Sequence, residues 1–359
     1  MTAVLIAPDS FKGSLTSVDV AQALAHGWLR ARPRDEILLS PLADGGEGTL
    51  VAIAAAGGWT WRETRVHDPL GRPIEARWLY RNDDEAGSAF IEMATASGLS
   101  RVRPDERDPI AATSLGTGEL IAAAIAQGAT RITLGIGGSA TTDGGRGLLV
   151  GLLESGPDDR RLDDIDLEVA CDVSNPLLGP TGAAAIFGPQ KGATPAQVQG
   201  LDDRNARWAD ELEAREGRRE RDTPGAGAAG GVGFALLAIQ DRFRSFALRP
   251  GIDLVMELTD FAGKLARADL VITGEGRIDA QTAFGKTALG VAQRSHAHGT
   301  PCIAVGGGVE PAGIDALKRL GVIVVPVVER PQSVEEAMAA GTAPLERCGE
   351  RIARLVSLW

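Results

Sequence analysis

The chain has 359 residues, a net charge of −11 and 44% hydrophobic residues, which allows two domains or one large one with a sizeable core. The acidic balance and the lack of a long basic stripe argue against nucleic acid as a partner. Three widely spaced cysteines without a CxxC indicate neither a disulfide framework nor a zinc site, and no stretch reaches the roughly 18 apolar residues of a membrane-spanning helix.

The first elements alternate. AVLIAP (3–8) reads as a buried strand, not a signal peptide, because no basic leader precedes it. SVDVAQALAHGWLRA (17–31) has helical apolar spacing, with Thr16 or Ser17 as N-cap. EILLSPLAD (36–44) is the next strand and EGTLVAIAAAGG (47–58) the next helix. This β-α-β-α opening predicts a parallel sheet covered by helices.

The centre differs. Residues 66–94 read as hairpin-like strands with a polar turn. A helix at 115–128 and strands at 131–138 and 167–173 follow, then 195–222 as a long charged helix ending in a loop, read as a solvated surface helix. The alternation then returns: strand 268–274, a helix from near Gln281, strand 301–307, a helix near 311–319, strand 322–327 and a closing helix near 342–358. The expected fold is α/β, with two α/β domains of parallel or mixed sheets flanked by helices. Residues 1–64 and 258–359 form a discontinuous flavodoxin- or Rossmann-like domain, and 65–257 an inserted one.

Four Gly-rich turns follow apparent strands: APDSFKGSLTS (7–17), PLADGGEGT (41–49), GIGGSATTDGG (135–145) and ITGEGRIDAQT (272–282). In parallel sheets ligands bind beyond the carboxyl ends of strands, and backbone N–H groups at such turns cradle phosphates. Lys12 suits an anion. Glu47 is explained by a helix dipole, whereas Asp44 precedes its turn and is not. Asp172 suits a general base or Mg²⁺, with an Asx-turn as the competing reading. Lys191 in FGPQKGA is either an anion contact or part of a plain surface loop, and Thr141, Thr142 and Asp143 either serve a site or only cap a helix. In TGEGRIDAQTAFGKT, Asp279 as a helix cap accounts for one charge, while a phosphate or metal–phosphate site would use Glu275, Arg277 and Asp279 together. FGKT is not the end of a Walker A loop, since Ala280 stands where glycine is required, and GAGAAG (225–230) follows a charged loop rather than a strand.

These motifs, together with TSLGTGELI, CDVSNPLLGPTGAA and GAGAAGGVGFAL, stand in an order that resembles the bacterial glycerate kinase family of the galactarate and glyoxylate pathways. The resemblance runs from residue 3 past residue 308; only 151–168 looks shorter than in typical members. It implies a cytoplasmic enzyme, monomer or homodimer, that uses ATP and Mg²⁺ to phosphorylate D-glycerate in the cleft between its domains, giving 2-phosphoglycerate. Production of 3-phosphoglycerate, or a related hydroxy acid as substrate, are the alternatives. On that footing Asp44, Asp172 and Asp279 are the candidate bases, and Lys12 and Ser10 contact the anion. Gly137, Gly138, Ser139, Thr141, Lys191, Arg277 and Lys286 bind phosphate or substrate, and Glu275 and Asp279 hold Mg²⁺.

Overall fold

The computed structural model describes residues 1–83, 86–154, 162–284 and 287–358. Its elements in chain order begin β1 (Ala3–Ile6), α1 (Ser17–Ala31), β2 (Glu36–Leu39) and α2 (Thr49–Ala55). Next come β3 (Thr60–His67), β4 (Pro73–Asp83), β5 (Ala86–Glu92), α3 (Ala94–Ser97), α4 (Leu115–Ala126), β6 (Ala129–Gly135), α5 (Arg146–Leu153) and β7 (Asp166–Ala170). They continue with α6 (Ala183–Phe187), α7 (Pro195–Glu216), α8 (Val232–Ala238), β8 (Ser245–Arg249), α9 (Gly251–Leu258) and α10 (Phe261–Leu265). The last are β9 (Leu270–Ile278), α11 (Thr287–His298), β10 (Cys302–Val309), α12 (Pro311–Lys318), β11 (Ile323–Pro326), α13 (Val334–Ala339) and α14 (Ala343–Val356). The chain is α/β, and it divides into two compact units. One comprises Met1–Asp44, Val51–Gly57 and Val255–Trp359, the other Gly45–Leu50 and Gly58–Leu254.

The first unit is built on a five-stranded sheet of order β11-β10-β9-β1-β2, parallel throughout. Its apolar strands are covered by α1 and α14, whose Val20, Leu24, Trp28, Leu345 and Ile352 join Val4, Ile6, Ile272 and Val305 in one buried cluster. The two helices cross at glycine. A Cβ on Gly27 would lie 1.8 Å from the Glu346 carbonyl oxygen, so any side chain there would force the helices apart. Helix α1 starts at Thr16, whose hydroxyl caps the Asp19 N–H while Asp19 reaches back in a capping box.

The second unit carries a six-stranded sheet of order β3-β4-β5-β6-β7-β8. The β3-β4 and β4-β5 pairs are antiparallel, and β5 through β8 run parallel. Its core gathers Trp78, Ile91, Leu120, Leu134, Leu148, Leu167 and Phe234.

Several local expectations shift. The second strand ends at Leu39, although the Ser40 and Leu42 N–H groups still donate to the Ile6 and Pro8 carbonyls (2.9 Å each). The hairpin-like strands expected over 66–94 are present as the antiparallel pair β4-β5, and β3 adds a third strand before them. Helix α11 starts at Thr287, not near Gln281; residues Ala280–Phe284 form a 3-10 turn instead. Strand β8 (5 residues) and helix α13 (6 residues) are too short to register as periodic segments. Helix α7 stops at Glu216, with Gly217 in the left-handed conformation as its cap. It is not solvated all round: Leu201, Asn205, Ala209, Leu212 and Glu213 are buried.

Candidate active site

The predicted residues fall into two groups, one in each unit. In the first unit the chain leaves β1 toward β2 on one side, and the later strands β9, β10 and β11 fill the other side. Strands β1 and β9 are therefore neighbours at the point where strand order reverses, the position where open parallel sheets bind ligands. Asp9 lies just beyond β1. Its N–H donates to the Gly274 carbonyl (2.8 Å), which stitches it to β9. Its carboxylate accepts from the Ser10 N–H (2.6 Å) at Oδ1 and from the Thr287 hydroxyl (2.7 Å) at Oδ2. Thr287 opens α11, whose N-terminal dipole favours an anion. Burial nevertheless dominates and, helped by the nearby Asp44 charge, raises the Asp9 carboxyl to about 6 against the hydrogen bonds that lower it.

Asp44 is exposed, Ser10 is half-buried, and Lys12 is exposed on the tight turn closed by Phe11 and Leu15. Glu275 lies within β9 and is buried, with its Oε1 accepting from the Thr282 hydroxyl at 2.6 Å. The two charges after it are used differently. Arg277 is exposed and pairs with Glu310 and with Asp279 (Nε–Oδ2 3.2 Å). Asp279 Oδ1 also accepts the Gln281 N–H (2.8 Å), so this carboxylate caps the 3-10 turn. Lys286 lies outside the described residues.

In the second unit the loop after β6, residues 136–145, carries Gly137, Gly138, Ser139 and Thr141. Gly138 is exposed and Gly137 half-buried, whereas Ser139 and Thr141 are buried. Beneath them sits Lys191, not on a surface loop but 3% exposed in the 3-10 turn Pro189–Lys191. Its Nζ donates to the Ser139 hydroxyl (2.9 Å) and to the Thr141 carbonyl (2.6 Å). Burial pushes its ammonium down to about 7, only partly offset by Asp143.

The same loop is held on its other sides. The Asp143 carboxylate accepts from the N–H groups of Ser114 (2.8 Å), Gly145 (3.1 Å) and Gly147 (3.1 Å), which ties the loop to the residues that open α4 and α5. Arg204 donates to the Thr142 carbonyl (3.0 Å), and the Gly144 N–H to the Gly230 carbonyl (3.0 Å). GAGAAG thus braces this loop: a Cβ on Gly230, at φ +72°, would meet the Thr141 oxygen at 1.9 Å. Asp172 is exposed and accepts the Gly251 N–H (2.9 Å) at the start of α9, which favours a local structural role.

Two residues of these sites are not among the sequence-based candidates. Asp9 stands three places before Lys12 in the same turn, and a carboxylate directly after a buried strand is the signal that could have found it. Glu92 ends β5 at 3% exposure and accepts from the N–H groups of Gly48 (3.1 Å) and Leu50 (3.2 Å), fixing the DGGEG turn. Its position as the last residue of the apolar run AFIE is the only hint.

Comparison with known proteins supplies a second line of argument. A family profile described as "Glycerate kinase family" matches residues 4–155 and 153–357. A glycerate kinase of Bacillus subtilis is 42% identical, covering 99% of this chain and 98% of the relative. A glycerate 2-kinase of Escherichia coli is 41% identical over 88% of this chain and 89% of the relative. A crystal structure from Salmonella typhimurium LT2, named as a candidate glycerate kinase 2, superposes with a TM-score of 0.84 at 39% identity, covering 99% of this chain and 98% of that one.

Proposed function

This chain belongs to the glycerate kinase family, and from that premise we propose that it transfers the γ-phosphoryl group of ATP, with Mg²⁺, to the 2-hydroxyl of D-glycerate. The observation that carries the reading is Asp9 at the β1/β9 reversal, held by Thr287 and raised to about 6. A general base works best with a pKa near the operating pH, and a carboxylate raised that far by burial meets the need. Asp9 is preferred as base to Asp172 and Asp279 because it stands at the β1/β9 reversal, whereas Asp172 is exposed beside the start of α9 and Asp279 is paired with Arg277. Lys12 and the Ser10 region contact the glycerate carboxylate, since they stand on the same turn as the base.

Among the described residues no three Asp, Glu, His or Cys side chains gather into a metal-binding cluster. Mg²⁺ does not require one: it takes one or two carboxylates and completes its shell with phosphate oxygens and water. Asp44, whose charge is felt by Asp9, and the buried Glu275 fit that donor set; Asp279 does not, being committed to Arg277 and Gln281. Bound Mg²⁺–ATP supplies the transferable phosphoryl group and screens the charge on its oxygens. The Gly137–Gly138 backbone is the proposed nucleotide-phosphate contact, because Gly138 is the exposed residue of the 136–145 loop. The division into domains 1–64 with 258–359 and 65–257, and a cytoplasmic setting, belong to the same proposal. Among the described residues no helix is long and apolar enough to cross a membrane.

The test is direct. The purified chain is incubated with D-glycerate, Mg²⁺ and ATP, and the product is read by enolase without phosphoglycerate mutase. A signal is the expected result. ADP release that yields an enolase signal only after mutase is added would mean the 3-phosphate. No ADP at all would overturn the assignment of substrate.

A further inference from the structure

Lys191 is a costly residue to keep. A buried amine loses its hydration, and hydrogen bonds must offset that loss. Here the amine points at two atoms of one loop, Ser139 Oγ and Thr141 O. The face of that loop open to solvent is the glycine face, with Gly138 exposed and Gly137 half-buried. The space beside Lys191, bounded by Leu99, Arg107, Asp108, Ala112 and Ala140, is a cavity of about 10 Å³. That holds one water at most, and no phosphate.

We propose that Lys191 is a positioning residue: from inside the unit its amine shapes the Ser139–Thr141 stretch, and so the backbone offered to nucleotide phosphate, without touching the nucleotide. This rests on the reading of the 136–145 loop as a phosphate contact, and it replaces the direct phosphate contact expected of Lys191 from the sequence. The charged groups that face the amine are Asp143, on the loop itself, and Arg107 and Asp108 across the cavity. Asp143 is occupied by three backbone N–H groups and the Ser114 hydroxyl, and Nζ makes its close contacts to Ser139 and Thr141. The hydroxyl and the carbonyl can accept from the amine in either protonation state, so the brace does not depend on its charge.

The experiment uses the full chain and its Lys191→Met variant. Loss of two hydrogen bonds from one donor is expected to raise the KM for ATP about tenfold or more, with kcat and the KM for glycerate changed less than about threefold. Amide hydrogen exchange at residues 137–142 is expected to speed up by about tenfold, with the strands of the same unit unaffected. A merely structural role would lower the active fraction and leave the KM for ATP in place. Unchanged exchange at these amides, or a collapse of kcat with the KM for ATP intact, overturns the proposal, the latter because it would put Nζ on the reacting phosphate. Should Lys191→Met fail to fold, Ser139→Ala removes one of the two acceptors and is read by the same two measurements, with a smaller effect in the same direction. Protection of the 136–145 amides by Mg²⁺–ADP in the unmodified chain checks the underlying phosphate reading separately. Its absence sinks that reading, while the exchange result still decides whether Lys191 shapes the loop.

Discussion

The Thr287 hydroxyl donates a 2.7 Å hydrogen bond to Asp9 Oδ2, joining residues 278 positions apart in the chain. It ties the end of β1 to the first residue of α11, and it stabilises the charged form of the carboxylate proposed as base. Thr287→Val removes that hydrogen bond while keeping the shape. Asp9, already raised to about 6, should then titrate higher. The acid limb of the kcat/KM profile is expected to move to higher pH, with the rate above pH 8 close to that of the parent. A limb that stays in place would show that another group controls it.

Asp9→Asn separates chemistry from stability. Because the folded carboxyl is raised from 3.8 to about 6, Asp9 adds stability that is complete below pH 3.8 and lost as pH rises through about 6. At pH 7.5 the unmodified protein therefore carries a half-buried charge at a cost. The neutral variant is expected to melt about 2–4 °C higher there, while kcat falls by about 100-fold or more. Scanning calorimetry and the enolase-coupled assay measure the two effects. A variant that is both active and unchanged in melting would remove Asp9 from the mechanism.

Lys191 makes the opposite contribution. Its ammonium is lowered from 10.5 to about 7, so between those values the unfolded chain holds a proton that the folded chain lacks. Stability contributed by this group is complete above pH 10.5, falls as pH drops toward 7 and is level below it. Denaturant unfolding between pH 7 and 9.5 should show a positive slope with pH that shrinks in Lys191→Met. Equal slopes in the two proteins would contradict this titration.

Gly230→Ala tests the brace from GAGAAG. The added Cβ would fall 1.9 Å from the Thr141 oxygen at a backbone φ of +72°. A loss of about 2–4 kcal/mol is expected, with exchange at residues 141–144 accelerated. A stability change within about 0.5 kcal/mol, the usual size for an indifferent surface site, would show that the loop yields easily.

Glu213, on the charged helix α7, provides a contrast. Its buried carboxylate accepts from the N–H groups of Glu220 (2.9 Å) and Arg221 (3.0 Å) and from the Arg221 guanidinium, closing the loop after the helix. Glu213→Ala should cost about 2–3 kcal/mol by leaving buried donors unpaired, yet leave KM values untouched in the folded fraction. A changed KM for either substrate would mean that this loop reaches a binding site.

Much of this was legible in the chain. Ala3–Ile6 and Ser17–Ala31 were readable because β-branched runs and a 3.6-residue apolar period are local properties. The family was legible for the same kind of reason: its Gly-rich turns are contiguous strings. Boundaries after turns were less so. The segment after Asp279 has helical composition, yet its first turn is 3-10, because Asp279 and Thr282 cap it locally.

The sequence by itself determined that the chain is α/β, that its turns carry carboxylates and lysines at strand ends, and which family those turns resemble. Only the tertiary structure decided which of the charges are buried and which residues they meet. Lys191 and Lys12 look alike in sequence, each a lysine in a Gly-containing turn, but one is sealed beneath a loop and the other is exposed. Asp9 and Asp279 both follow strand residues, but Asp9 gains a partner from a distant helix, the Thr287 hydroxyl, whereas Asp279 accepts from the Gln281 N–H in its own turn. Burial and long-range hydrogen bonding depend on which strands become neighbours. That is set by packing across hundreds of residues, not by any short stretch of the chain.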